Sequence, residues 1–349
     1  MSKYDTDLDY VILDVDISGD ELEEIKAEAD KIISENKKKK KDEEIKKMLA
    51  LAYLKKAQCQ RKLGSGHSCG AVFYEDIAMG IFIKKEKRNI KKLLKKALKL
   101  SPDMPEALMQ VGILNEHSWY NDKNYKSINF ISMAIQLKSD YAAAFNNRAM
   151  LFYKSDDFDD EDDKDKLEKA KIKFRNAIAD LTEAIKIRPF DAVYYLNRGK
   201  FHTVLKEHKE AVDDFSNTIN YASDVLKEKL EKDVLILNLR GKEYAELKEY
   251  GKAIDDFSES LHILQGRDYK FLMRYEKNKE QFDMDRVYRD FFETLLMRAK
   301  TYYLSGEKTK AKADIEEYIK RKHKVTDDTN HREIIRLTGI APEDILKGE

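Results

Sequence analysis

The sequence predicts an all-α protein made of repeated helix pairs. Four short segments share one pattern, in which a large apolar residue stands three places before an arginine and a small residue follows the arginine. In the last three segments an alanine comes twelve residues after the small residue, and a large apolar residue four later still. The 349-residue chain holds only 13 Gly and 4 Pro and is 38% charged, which favours long helices with solvated faces. The four segments are residues 145–149, 195–199, 237–241 and 295–299.

The repeat resembles the tetratricopeptide repeat (TPR), a helix–turn–helix unit of about 34 residues. In one unit the resemblance is carried by Gly199, Ala211 and Phe215, and the next two units have the same spacing. The resemblance implies a right-handed α–α superhelix of about six units, a TPR solenoid. Small residues then mark where the two helices of a unit nearly touch, and large ones fill the holes between units.

Laid end to end, the units define a predicted domain organisation. An acidic extended arm (1–18) and a helical extension (19–70) precede the array, and a cap (326–349) follows it. The extension is predicted to contain helices at about 19–36 and 42–63, the second of which should pack on the first repeat. In the fourth and fifth repeats, serine and glutamine replace the usual proline, which predicts that the second helices continue through 224–233 and 267–289. The array, 71–325, divides into 71–104, 105–141, 142–191, 192–233, 234–291 and 292–325.

Composition narrows the function and the environment of the chain. Its 66 basic and 66 acidic residues cancel, so no overall field attracts nucleic acid or a membrane. No apolar run approaches the roughly 20 residues that span a bilayer. The two cysteines of an all-helical chain are expected to be reduced. We therefore expect a cytoplasmic protein without nucleic-acid or membrane partners.

Three segments superficially match chemical motifs. Residues 66–70 read G-x-S-x-G, but a helix rather than a strand precedes them, so Ser68 is not expected to be a nucleophile. Cys59, His67 and Cys69 are three soft ligands without a fourth, which makes a poor zinc site. We expect no enzyme activity and no cofactor.

The third segment is an acidic insertion in the third repeat. Acidic residues fall at the ligand positions of an EF-hand loop, but Asp162 stands where glycine is needed for the sharp turn. A solvated insertion is the simpler interpretation, and whether it binds cations stays open. The acidic residues are Asp157, Asp159, Glu161, Asp163, Asp165 and Glu168.

Two sets of basic residues are interpreted as solvated surface. Residues 84–99 form a basic amphipathic helix that is typical of membrane, calmodulin-type or nucleic-acid contacts. Ala97 and Pro102 instead place it as the second helix of a repeat, with its lysines in solvent. The four repeated arginines are expected to pack through their stems, with their charged heads in water. They are Arg148, Arg198, Arg240 and Arg298.

The resemblance implies that the first helices of the units line a concave groove. Three consecutive units carry a lysine at the same place in that groove, beside apolar residues and asparagine amides. Lysine can pair with the carboxylates of a peptide, and asparagine with its backbone. The predicted peptide-binding residues are Asn146, Asn147, Met150, Leu196, Asn197, Lys200, Asn238, Leu239, Lys242, Leu296, Met297 and Lys300.

One TPR subtype grips the C-terminal carboxylates of heat-shock chaperones. Asn147 and Asn197 match the middle of its clamp, but Val193 and Leu235 replace the later lysine. The clamp also needs a Lys and an Asn in an earlier unit. At those places the second unit has Met109 and Ile113, and the third unit has Asn146 and Met150. We therefore expect no chaperone carboxylate clamp.

The best functional hypothesis is a non-catalytic scaffold that binds an acidic–apolar segment of another protein in the groove. The protein's own arm is a possible occupant, because residues 7–17 are acidic and β-branched. Two alternatives remain open: a self-associating structural protein that uses exposed residues near 271–282, and a regulatory subunit of an enzyme complex.

Overall fold

A computed structural model describes residues 19–38, 42–64, 84–115, 123–153, 164–222, 234–278 and 289–321. Every regular element in these ranges is an α-helix, which confirms the all-α class. The helices are α1 Gly19–Asn36, α2 Glu43–Gly64, α3 Lys84–Leu100, α4 Pro105–Asn115, α5 Lys123–Leu137, α6 Ala142–Tyr153, α7 Lys164–Ile187, α8 Ala192–Val204, α9 His208–Tyr221, α10 Val234–Glu246, α11 Tyr250–Asn278, α12 Arg289–Leu304 and α13 Lys308–Arg321.

The chain divides into two compact units, Met1–Phe190 and Asp191–Glu349. In the first unit α2 packs against α3, α4 against α5 and α6 against α7, while α1 covers α2. Helix α1 has the predicted bounds, and α2 begins and ends within one residue of the prediction. The number of repeats and the superhelical course remain predictions.

The partner of α3 in the first unit is α2. Tyr53, Leu54 and Ala57 of α2 share a core cluster with Ile90 and Leu94 of α3. This contact confirms that the second helix of the extension packs on the helix at 84–100. That this helix belongs to a first repeat stays a prediction. The repeat start expected at Ala71 lies outside the described residues.

In the second unit α8 packs against α9, α10 against α11 and α12 against α13. Helix α9 also contacts α10, and α11 contacts α12. Helix α11 continues to Asn278, which agrees with the predicted continuation through 267–289 as far as that residue. Residues 279–288 lie outside the described residues. The expected continuation of α9 is wrong, because the helix ends at Tyr221 and Ala222 is extended at ψ 119°.

The turns inside these three pairs are alike. The residue after the helix cap takes a left-handed conformation at Lys206, Lys248 and Gly306, with φ of 59°, 61° and 89°. In the first turn the N–H of Lys206 donates to Thr203 O and that of Glu207 to His202 O. This is the Schellman arrangement, which satisfies the last carbonyls of a helix. At the start of α8 the Asp191 carboxylate accepts from the Val193 N–H.

Two glycines bring paired helices close together in the second unit. A Cβ at Gly199 would stand 2.8 Å from the Phe215 ring, and one at Gly241 would stand 2.8 Å from the Phe257 ring. The predicted role of these small residues, close approach within a pair, is therefore confirmed. None of the helices described is long and apolar enough to cross a membrane.

Candidate functional site

An arginine of the first helix forms a two-point ion pair with an aspartate of the second helix in four of the pairs. Arg240 Nε donates to Asp256 Oδ2 at 2.9 Å, and Nη2 donates to Oδ1 at 2.7 Å. Such bidentate pairs fix geometry as well as charge. The expectation that the arginine heads reach water is therefore wrong. The other pairs are Arg148–Asp180, Arg198–Asp214 and Arg298–Asp314.

Three of these arginines also reach the helix pair before their own. Arg148 Nη1 donates to Ser132 Oγ at 2.9 Å. Arg240 Nη1 donates to Ser216 Oγ at 3.2 Å. Arg298 Nη1 donates to Ser258 Oγ at 3.1 Å. One guanidinium thus links three helices across two repeats.

Each guanidinium also lies near an aromatic ring of its own helix. Arg240 Cζ is 5.8 Å from the centre of the Tyr244 ring, a distance at which cation–π attraction is significant. The corresponding rings at the other arginines are Phe145, Tyr195 and Tyr302.

Burial opposes the charge of these pairs. Desolvation raises the pKa of the Asp180 and Asp314 carboxyls, and the facing arginines lower it by less. Burial lowers the pKa of the Arg298 guanidinium, but its bonds to Asp314 outweigh this, so its pKa is raised. The cost of burying these charges thus offsets part of the attraction within each ion pair.

The first helices of the second unit are linked side by side. Thr203 Oγ1 of α8 donates to Glu243 Oε1 of α10 at 2.7 Å. Asn238 Nδ2 of α10 donates to Thr294 Oγ1 of α12 at 2.7 Å. These contacts connect α8 to α10 and α10 to α12, whereas a groove along these helices stays a prediction.

Glu243 is a buried carboxylate beside the predicted lysine row. Only 3% of the residue is exposed, and Oε2 lies 2.7 Å from His208 Nδ1 of α9. With Thr203 it joins α8, α9 and α10 at one point. Sequence reasoning missed this cluster, because a lone glutamate after a lysine carries no pattern.

The three lysines of the predicted row differ in exposure. Lys242 is exposed, whereas Lys200 and Lys300 are half-buried. Among the described residues, Lys242 and Lys300 form no ion pair. Leu239 and Met297 beside them are half-buried apolar residues. We call these five residues the lysine row.

Other predicted groove residues are less accessible. Five of the twelve are buried and so offer little surface to a ligand: Asn146, Met150, Leu196, Asn197 and Leu296. Asn147 is half-buried, and its Nδ2 already donates to Ala143 O at 2.7 Å.

Asn238 is half-buried and donates to Thr294, while its Oδ1 is buried without a partner among the described residues. The asparagine donors at 147 and 238 thus serve the fold.

The remaining chemical motifs are only partly described. Cys59 is buried in α2, and Glu168 pairs with Lys171 in α7. Ser68, His67, Cys69 and the acidic residues at 157–163 lie outside the described residues. Within the described ranges, no group of three or more His, Cys, Asp or Glu side chains is placed to hold a metal ion.

The repeated signature and the helix pairs together give the described part of the chain a TPR-like helical repeat fold. No protein-family model matches the chain, and no curated protein matches it. Solved TPR structures resemble it at low identity. YrrB, described as a TPR protein with an unusual peptide-binding site, is 12% identical over 71% of this chain and 98% of its own, with a TM-score of 0.48.

Two further solved structures are similar to the chain. PilF of Pseudomonas aeruginosa is 13% identical over 75% of this chain and 95% of its own, with a TM-score of 0.44. A thermophilic TPR protein of Thermus thermophilus is 16% identical over 58% of this chain and 94% of its own, with a TM-score of 0.38. These likenesses concern the helical repeat fold, not a function.

Proposed function

We propose that this protein is a non-catalytic scaffold that binds an extended or helical acidic–apolar segment of a partner protein. The site is the lysine row on the first helices of the second unit. The observation that carries the proposal is the recurrence of lysine at one place on α8, α10 and α12, which hydrogen bonds hold side by side.

The lysine row combines charge with apolar surface. Lys242 and Lys300 offer ammonium groups that no described carboxylate neutralises. Leu239 and Met297, on the same two helices, supply half-buried apolar surface. A segment that alternates acidic and apolar side chains would satisfy both, with affinity from apolar burial and faster association from charge steering.

The residues that pack the first helices together support the site indirectly. Asn238 and Glu243 hold α10 against α12 and α8, so the lysines are presented on a fixed frame. A preformed frame lowers the ordering cost of binding. Asn197, Leu196 and Leu296 are proposed to act in the same supporting way, because they are buried.

The test is selection of a random peptide library displayed on phage against the full-length protein. We expect enrichment of peptides that carry both acidic and apolar residues. The selected peptides should bind the variant Lys200→Glu/Lys242→Glu/Lys300→Glu at least tenfold more weakly, since three favourable charge contacts become repulsive.

The matched control is Lys206→Glu/Lys209→Glu/Lys248→Glu, which changes three exposed lysines of the same unit by the same charge. This control should bind within about twofold of the wild type. Selection of basic peptides, or an equal loss of binding in both variants, would show that the lysine row is ordinary solvated surface.

The protein's own arm provides a defined probe of the same site. A labelled peptide of residues 5–18 is acidic and apolar, and we expect it to compete with the selected peptides. Replacing its aspartates with asparagines should abolish competition. A peptide that ends in a chaperone C-terminal carboxylate should not compete, because the clamp residues are missing.

A further inference from the structure

Helix α3 carries a continuous face of cations in the first unit. Five of its basic residues are exposed and, at 3.6 residues per turn, lie within an arc of about 100°. We call them the basic face. They are Arg88, Lys92, Lys95, Lys96 and Lys99.

The opposite face of α3 is fully used by the fold. Ile90, Leu94 and Ala97 are at most 1% exposed and share a cluster with residues of α2 and α4. The Lys96 ammonium lies 5.3 Å from the centre of the Tyr53 ring of α2. The buried apolar face of α3 is therefore not available for insertion, and a partner meets the exposed face mainly through charge.

The cations of the basic face lack the neutralising partners found elsewhere on the surface. Other helices pair lysine with glutamate three residues away, as in Lys46–Glu43, Lys186–Glu183 and Lys310–Glu307. Helix α3 contains a single acidic residue, Glu86. None of the five cations pairs with a carboxylate in the described part of the chain. A strong local field thus exists on a chain of zero net charge.

We propose that the basic face docks on an anionic lipid bilayer surface, which revises the expectation of no membrane partner that was drawn from the overall charge. Clusters of four to eight basic residues on one helix face recognise anionic headgroups, because each adds attraction near the surface. The composition of α3 argues against nucleic acid, since it has no aromatic residue for base stacking and only one arginine. This inference is independent of the lysine row, which belongs to the other unit.

Co-sedimentation with vesicles tests this docking surface. The full-length protein should bind phosphatidylcholine vesicles that contain phosphatidylserine and should not bind pure phosphatidylcholine. The variant Lys92→Glu/Lys95→Glu/Lys99→Glu should lose about a hundredfold in partitioning. Replacement of the same residues with glutamine should give an intermediate loss. Binding should also vanish in about 1 M salt, where the screening length falls to about 3 Å.

The control is again Lys206→Glu/Lys209→Glu/Lys248→Glu, which changes the net charge by the same amount. It leaves the basic face intact and should therefore retain vesicle binding to within about threefold. An equal loss in this control would overturn the proposal, since net charge rather than the basic face would then be responsible. Binding to pure phosphatidylcholine that equals binding to the mixed vesicles would also overturn it. So would tighter binding to a labelled RNA oligonucleotide that is lost in the α3 variant.

Discussion

Gly241 and Phe257 are in such close contact that a Cβ on the glycine would stand 2.8 Å from ring carbon Cε1. The Phe257 ring is buried and cannot move aside easily. The same contact joins Gly199 to Phe215, whereas the corresponding places in α12 and α13 hold Ala299 and Ile315. In the three pairs of the second unit, glycine thus occurs opposite a phenylalanine ring and alanine opposite a smaller side chain. In the first unit, by contrast, Gly112 lies opposite Ile131, where an added Cβ would stand 2.6 Å from the side chain.

Gly241→Ala should lower the free energy of unfolding by about 1–3 kcal/mol, because the core is overpacked. Adding Phe257→Ile recreates the Ala299–Ile315 combination, so the double variant should be less destabilised than the sum of the single changes. Urea unfolding measures all three variants. Gly251→Ala is the control, since its Cβ would meet nothing within 4 Å. Additive effects would contradict the contact.

Removing one partner of an ion pair should destabilise the protein more than removing both. Arg240→Met leaves the Asp256 carboxylate buried without its partner, and we expect a loss of about 2–3 kcal/mol. The double variant Arg240→Met/Asp256→Leu removes both charges and should recover at least half of that loss. Thermal unfolding would decide, and a double variant no more stable than the single one would refute this account.

At the three left-handed turn positions, glycine should stabilise the fold relative to a residue that carries a Cβ. Gly306→Ala should lower stability by about 1 kcal/mol, because a Cβ is unfavourable at φ 89°. Lys248→Gly should raise stability, by less than about 1 kcal/mol, since glycine also gains entropy in the unfolded chain. Both values come from urea unfolding. The same sign for both substitutions would contradict the turn geometry.

Glu307 gives stability a specific pH dependence. Its hydrogen bond from Lys310 lowers the pKa of the Glu307 carboxyl below the ordinary 4.5. Because the native pKa is lowered, the Glu307–Lys310 pair contributes its stability to the folded state above pH 4.5. This contribution is lost as the pH falls through the native pKa of Glu307. The wild type should therefore unfold at a higher temperature than Glu307→Gln at neutral pH. The difference should disappear in more acidic solution, and a constant difference would exclude this ion pair as its cause.

Helical spacing and the repeat signature were enough to predict most of the fold. The bounds of α1 and α2, the buried face of α3 and the close approach at Gly199 follow from periodicity and small residues. The end of α9 did not follow, because no proline or glycine marks Tyr221.

The ion pairs have a signal in the sequence, which the expectation of solvated arginine heads left out. An aspartate follows the arginine by sixteen residues in three units, at Asp214, Asp256 and Asp314. In the third repeat the acidic insertion lengthens this spacing to Asp180. The hydrogen bond of Asn238 was not predictable in the same way, because it depends on the neighbouring helix α12, which supplies Thr294.

The guanidinium contacts of Arg240 and Arg298 form a continuous chain from α9 to α13, which couples the local unfolding of these helices. Ser216 of α9, Arg240 of α10 and Asp256 of α11 are joined, and Ser258 of α11 continues the connection through Arg298 to α13. A helix that detaches leaves a charged or hydroxyl group of its neighbour unpaired. Local fraying is therefore penalised on both sides of a repeat boundary. Amide hydrogen exchange in α9 to α13 should consequently follow one cooperative opening event rather than a stepwise loss from the end.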